Sequence, residues 1–268
     1  MNMKNCRNLL LAAAVLAAAS SCSDKVQVKG TLAGAPDTQV VVKQLSGSTL
    51  VTLDTLKTDA SGAYSCKIDV LKGQPQFVYL FKGDTKIASL LLQKGDKVKV
   101  ASDTLGKYSV EGSEESEKLR QVEEDFAAFM DKFSADAAAG DNAAASKDYI
   151  EYYRGCVKYI MTNSKSLTSI PVLYQKVNES FPIFSQATDA ILFQNVHDSL
   201  MTVYPESKYL EALKKEAEKR FNIFNLSQRV QNARESSYPD LNLPSVDGTK
   251  VKLSEVASKA VLVYFWQA

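Results

Sequence analysis

Between Val26 and Glu111 apolar and polar residues alternate in eight short runs, each closed by turn-forming residues, and that pattern leaves no room for a long helix. Val26 to Leu32, Gln39 to Leu45, Leu50 to Lys57, Ala63 to Ile68, Phe77 to Phe81, Lys86 to Leu92, Lys97 to Ala101 and Lys107 to Glu111 read as strands. A period of two sends successive side chains to opposite faces, so each run has one face for a core and one for solvent. Gly34-Ala35-Pro36-Asp37, Ser46-Gly47-Ser48, Asp59-Ala60-Ser61-Gly62, Lys82-Gly83-Asp84 and Lys94-Gly95-Asp96 supply the turns. Turn signals spaced about ten residues apart, with β-branched and aromatic strands between them, predict an antiparallel β-sandwich or barrel over residues 22–112.

After Ser113 the period becomes helical. Leu119, Val122, Phe126, Phe129 and Phe133 recur at steps of three and four and form a packing face. An alanine-rich stretch from Ser134 to Ser146, broken at Gly140-Asp141-Asn142, reads as a helix turn and a loose connection. Tyr149, Ile150, Tyr153, Val157 and Ile160 mark a second helix. Pro171, Pro182 and Pro205 mark successive helix starts, and Tyr209, Leu210, Leu213, Ala217 and Phe221 form a last stripe before Asn225. Residues 113–232 are therefore expected to form a helical spacer layer, making the chain α+β.

At the N-terminus Lys4 and Arg7 precede an uncharged stretch from Leu9 to Ala19, long enough for a signal-peptide core and too short to cross a bilayer. It runs into Ala19-Ser20-Ser21-Cys22, which resembles the lipobox of bacterial lipoproteins. The resemblance implies cleavage after residue 21, lipidation of Cys22, and a periplasm-facing protein of the bacterial cell envelope held to its membrane by the lipid. Loss of Lys4 and Arg7 takes the 32 basic residues to 30 against 31 acidic ones, so the mature chain is balanced. Its charges are interleaved rather than blocked, which argues against nucleic acid as a partner.

Most catalytic constellations are excluded by composition. His197 is the single histidine, so neither a Ser-His-Asp nor a multi-histidine zinc arrangement can be assembled; it lies on a predicted helix in a packed or solvent-facing role. Glu123-Glu124-Asp125 are consecutive and lie opposite the Phe126 stripe, as on a solvated helix face. No glycine pattern forms a phosphate cradle, and Tyr149, Tyr152, Tyr153 and Tyr159 read as packing residues. With Cys6 in the signal and Cys22 lipidated, Cys66 and Cys156 remain. Cys66 alternates with Tyr64 and Ile68, Cys156 adjoins Val157 in a helix, and both read as small core hydrophobes. An oxidising compartment permits a bridge between them, and the sequence does not decide it. No cofactor, metal or catalytic residue is expected in this chain.

The last segment carries a second resemblance. Tyr238-Pro239-Asp240-Leu241-Asn242-Leu243, then Asp247-Gly248, then Val251-Lys252-Leu253-Ser254, resembles the opening of thioredoxin-like domains of the alkyl hydroperoxide reductase and TlpA type. Val261 to Phe265 resembles their central strand, and Val261 to Ala268, apolar throughout its first half, reads as a strand buried on both faces. The resemblance implies that residues 233–268 are the N-terminal fragment of such a domain and that its reactive C-x-x-C falls just beyond Ala268. A thiolate at a helix N-terminus is the chemistry of that motif, and none of its residues maps onto this chain.

The upstream segments Thr58 to Ser65, Leu92 to Val100, Val110 to Ser113 and Tyr204 to Tyr209 resemble the β-rich domain of unknown function and the helical spacer that precede thioredoxin-like domains in many envelope lipoproteins. Two readings follow from the sequence. One is a lipid-anchored relative of thiol-disulfide oxidoreductases whose redox-active part is absent from this chain. The other is a non-catalytic envelope lipoprotein whose β domain and helices bind a protein partner.

Overall fold

A computed structural model describes residues 25–232, 241–256 and 262–264. The described residues up to Asn222 form one compact unit and those from Ile223 a second. Eight strands open the first unit: β1 Lys25–Leu32, β2 Gln39–Ser46, β3 Thr49–Lys57, β4 Ala63–Asp69, β5 Gln76–Lys82, β6 Thr85–Leu92, β7 Lys97–Ser102 and β8 Tyr108–Glu111. All eight runs with period two thus become strands. The helical region gives α1 Glu114–Ala138, α2 Asn142–Thr162, the short α3 Ser169–Leu173, α4 Ala190–Met201 and α5 Leu210–Asn232, with a small hairpin of β9 Lys176–Asn178 and β10 Phe181–Pro182 between α3 and α4.

The strands make two open four-stranded sheets, ordered β4-β1-β7-β8 and β3-β2-β5-β6, and neither closes into a barrel. Their facing sides share one core containing Val26, Val28, Tyr64 and Val98 from the first sheet and Val42, Leu80 and Leu90 from the second. The arrangement is not wholly antiparallel, because β7 lies parallel to β1. The chain leaves β6 in the second sheet and re-enters the first alongside the start of β1; alternation alone carries no information on strand direction. Gly30 on β1 is required by its cross-strand partner: a Cβ there would stand 2.0 Å from the Tyr64 ring.

In the second sheet β5 and β6 are covered on both sides, whereas the edge strand β3 is exposed along nearly all of its length. Along β5, Val78 and Leu80 enter the sandwich core while Phe77 and Tyr79 enter a second core with the helices; along β6, Leu90 and Leu92 face one way and Leu91 the other. Each strand therefore serves two cores through its pleat. The second core holds Leu119, Val122 and Phe129 of α1, Ile160 of α2, Phe193 of α4 and Leu213 of α5. On the predicted second helix Tyr152 packs inward and Ile150 is exposed, and Phe221 at the end of the last stripe is exposed as well. A strict stripe drifts off a straight helix's buried side within a few turns. Pro182 lies in β10 rather than at a helix start, and α4 begins after a turn at Ala187–Asp189 whose Asp189 accepts from the Gln186 N–H at 2.8 Å.

Polar contacts weld the layers. Ser113 caps α1, and Ser116 in its first turn both accepts from the Leu91 N–H at 3.1 Å and donates to the Leu91 carbonyl at 3.2 Å, which satisfies the free edge of β6. Tyr209 accepts from the Phe77 N–H at 3.0 Å and donates to the Leu45 carbonyl at 3.3 Å, fixing the start of α5 on the second sheet. Glu123 corrects the expectation of a solvated acidic face. Its carboxylate accepts from Lys86 Nζ at 2.6 Å, Ser89 Oγ at 2.8 Å and Tyr108 Oη at 3.1 Å, so it joins α1 to β6 and β8. Glu124 and Asp125 are exposed, and Glu124 pairs with Arg120.

In the second unit, β11 Asn242–Pro244 and β12 Lys250–Lys252 form an antiparallel hairpin. Its turn uses Asp247, which accepts from Thr249 Oγ1 at 2.7 Å, and Gly248, whose φ of 82° is the left-handed conformation glycine favours. Leu262–Tyr264 belongs to no regular element and Leu262 is 93% exposed. The expected buried strand is therefore not formed in this stretch, where no strand among the described residues pairs with it. Val261 and residues 265–268 lie outside the described residues.

Replacing Glu123 with alanine removes the acceptor of the fully buried Ser89 hydroxyl and one of the two acceptors of the Tyr108 hydroxyl, the Ser89 carbonyl remaining. Urea unfolding should show a loss of about 2–3 kcal/mol, against about 0.5 kcal/mol or less for Glu124→Ala. Equal losses would mean that Glu123 does not join the layers.

Candidate functional site

Cys22 lies outside the described residues. Cys66 sits on the inner face of β4 within the sandwich core, and Cys156 sits on α2 within the helical core. Both are free thiols and both are buried. They enter different cores, so the bridge that the sequence leaves open is not formed. Burial pushes the Cys66 thiol up to about 11, with the Asp54 charge acting in the same direction. Burial likewise pushes Cys156 up to about 11, partly offset by its hydrogen bond with Tyr152, and its sulfur stands 3.6 Å from Gln175 Oε1. A thiol titrating there is thiolate in only about one molecule in ten thousand at pH 7, the opposite of an activated cysteine.

The four tyrosines of the α2 region pack their rings and tether their hydroxyls. Tyr149 donates to the Ile183 carbonyl at 2.7 Å, Tyr152 to Gln175 Oε1 at 2.9 Å and Tyr153 to Asp189 Oδ1 at 2.6 Å, while Tyr159 lies 2.7 Å from Thr168 Oγ1. The Tyr152 ring stacks on Phe129 with centroids 4.2 Å apart. His197 on α4 turns its Nδ1 to Asp198 Oδ1 at 2.9 Å.

Between α1 and α2 a groove of about 490 Å³ is lined by Phe129, Lys132, Asp148, Tyr152, Cys156 and Tyr159. Asp148 is buried, and Lys132 donates to its Oδ1 and holds its carboxyl below the usual value. Its Oδ2 accepts no hydrogen bond from a nitrogen or hydroxyl. Interaction with Asp148 pushes the Asp136 carboxyl above its usual value. The Lys132–Asp148 pair joins α1 to α2. Among the described residues no three His, Cys, Asp or Glu side chains come together to hold a metal.

A trough of about 720 Å³ lies on the outer side of the first sheet, with Thr31, Ala63, Ala101 and Ser109 among its lining residues. Strand register places those four in one row across the sheet. The next row is Ser65, Lys29, Lys99 and Glu111, and the one after it Lys67, Gln27 and Lys97. Alternate lysines are visible in Lys25 to Lys29 and Lys97 to Lys99, but the register that gathers them on one face is not.

Geometry thus defines a mixed α+β module, a two-sheet sandwich with a helical layer on one side, in which neither described thiol is activated. Residues 26–119 match the model of a family described as a domain of unknown function, DUF4369. The match covers the sandwich and the first turns of α1. No curated protein matches the chain.

The thiol pKa values carry a sign. In the unfolded chain the thiols ionise near 9 and in the folded chain near 11, so burial stabilises the fold fully below pH 9, and that contribution is lost as pH rises through 11. Alkylation by iodoacetamide should remain slow at pH 8 in the folded chain and become fast in urea. Rapid labelling of either cysteine at pH 8 without denaturant would contradict the burial.

Proposed function

We propose that this is a lipid-anchored protein of the bacterial cell envelope, related to thiol-disulfide oxidoreductases, whose sandwich and helical layer form a non-catalytic module. In this reading Cys22 carries the lipid, the module holds or receives a protein partner, and thiol-disulfide chemistry belongs to the thioredoxin-like part that opens near Tyr238. The observation that carries it is the state of the thiols: Cys66 and Cys156 are buried in separate cores with raised pKa values. A redox centre needs an accessible, acidified thiolate with a resolving partner. The Asn242–Lys252 hairpin, turned at Asp247-Gly248, agrees with the thioredoxin-like resemblance of that segment.

Two measurements test the proposal. The chain should reduce insulin no faster than its Cys66→Ser, Cys156→Ser double variant, and a clear excess would refute the non-catalytic role. Cells expressing the chain should incorporate a labelled lipid precursor into it, and Cys22→Ala should abolish the label. Label retained in that variant would refute the anchor.

A further inference from the structure

The two sheets are finished differently. Helices cover the outer side of β5 and β6 in the second, whereas the outward positions of β4, β1, β7 and β8 are exposed or half-buried. That bare side is basic. Lys25, Lys29, Lys67, Lys97 and Lys99 all point outward from it, against Asp69 and Glu111. Asp69 is engaged with Lys25 at 3.7 Å, which leaves Lys29, Lys67, Lys97 and Lys99 facing Glu111. Lys29 and Lys99 are direct neighbours in the register of β1 and β7. Like charges side by side on a sheet repel, and an anionic surface laid over them removes that cost.

The rest of the face says what kind of surface fits. Its floor is Thr31, Ala63, Ala101 and Ser109, with no large apolar side chain to anchor a partner helix or strand. A flat polar sheet with projecting ammonium groups matches a layer of headgroups. The face also begins close to the anchor in sequence: two residues, Ser23 and Asp24, separate Cys22 from Lys25, the first residue of β1. The three steps from Cys22 to Lys25 reach at most about 10 Å, close to the distance over which surface charge is felt at physiological salt, about 8 Å.

We propose that the outer face of the first sheet is the surface this protein lays on an anionic bilayer, with Lys29, Lys67, Lys97 and Lys99 meeting lipid headgroups and the helical layer turned away. The orientation rests on lipidation of Cys22. The occupant is the membrane in which that lipid is inserted.

The experiment is an amine-acylation footprint of the lipidated full chain, read lysine by lysine by mass spectrometry. The chain is reconstituted in vesicles of roughly one-third phosphatidylglycerol in phosphatidylcholine, or of phosphatidylcholine alone. In the anionic vesicles Lys29, Lys67, Lys97 and Lys99 should react about fivefold more slowly, the ratio that corresponds to the roughly 1 kcal/mol each lysine gains near such a surface. The difference should vanish at about 0.5 M salt. Exposed Lys147 on α2 and Lys214 on α5 should react equally in both vesicles. The double reversal Lys29→Glu, Lys99→Glu should abolish the slowing at Lys67 and Lys97 while the lipid label on Cys22 is kept. Equal rates in the two vesicles with Cys22 labelled would overturn the proposal and leave the anchor standing. Absence of the label would fail the anchor itself and the orientation with it. Slowing that appears without vesicles as protein concentration rises would assign the face to a second copy and also overturn the proposal.

Discussion

Everything in the first unit depends on β5 and β6 of the second sheet being buried on both sides. From Ile87 to Leu92 every residue of β6 is buried, and β5 sends Val78 and Leu80 to one core and Phe77 to another. Each such apolar side chain is worth about 1.5–3 kcal/mol when withdrawn from water. Neither the sandwich nor the helical layer can be removed without exposing one of those faces. The polar contacts follow the same seam: Ser116 on the edge of β6, Glu123 reaching Ser89 and Tyr108, Tyr209 on Phe77. The helices of residues 113–232 pack on β5 and β6 in a second core of their own.

That seam explains what was legible beforehand. The strands were easy because the first sheet has a wet face, so Lys25 to Leu32 and Lys97 to Ser102 alternate cleanly. The buried side of α1 was readable from Leu119, Val122 and Phe129 for the same reason. Pairing was not legible: the parallel register of β1 and β7, and with it the gathering of lysines on one face, depends on where the chain re-enters a sheet. Glu123 was misjudged because its partners Lys86, Ser89 and Tyr108 come from two strands that no local pattern connects to it. The inward positions of Cys66 and Cys156 were readable, but that they enter different cores is a property of the fold.

The same layering separates the tasks of the molecule. The core-facing surfaces hold the thiols out of reach, and the helical layer occupies one side of the sandwich. What remains for recognition is the other side, beside the strand that follows Cys22. On the reading proposed above, this part of the molecule positions rather than reacts, and the chemistry belongs to the segment that follows α5.

The central claim is that sandwich and helices are one cooperative body, and native-state hydrogen exchange measures it directly. Amides of Val78 to Leu80, of Ile87 to Leu92 and of Leu119 to Phe129 should exchange with a common opening free energy equal to that of global unfolding. If the α1 amides open at a free energy well below that of β5 and β6, the helical layer is a separable spacer and the account is wrong.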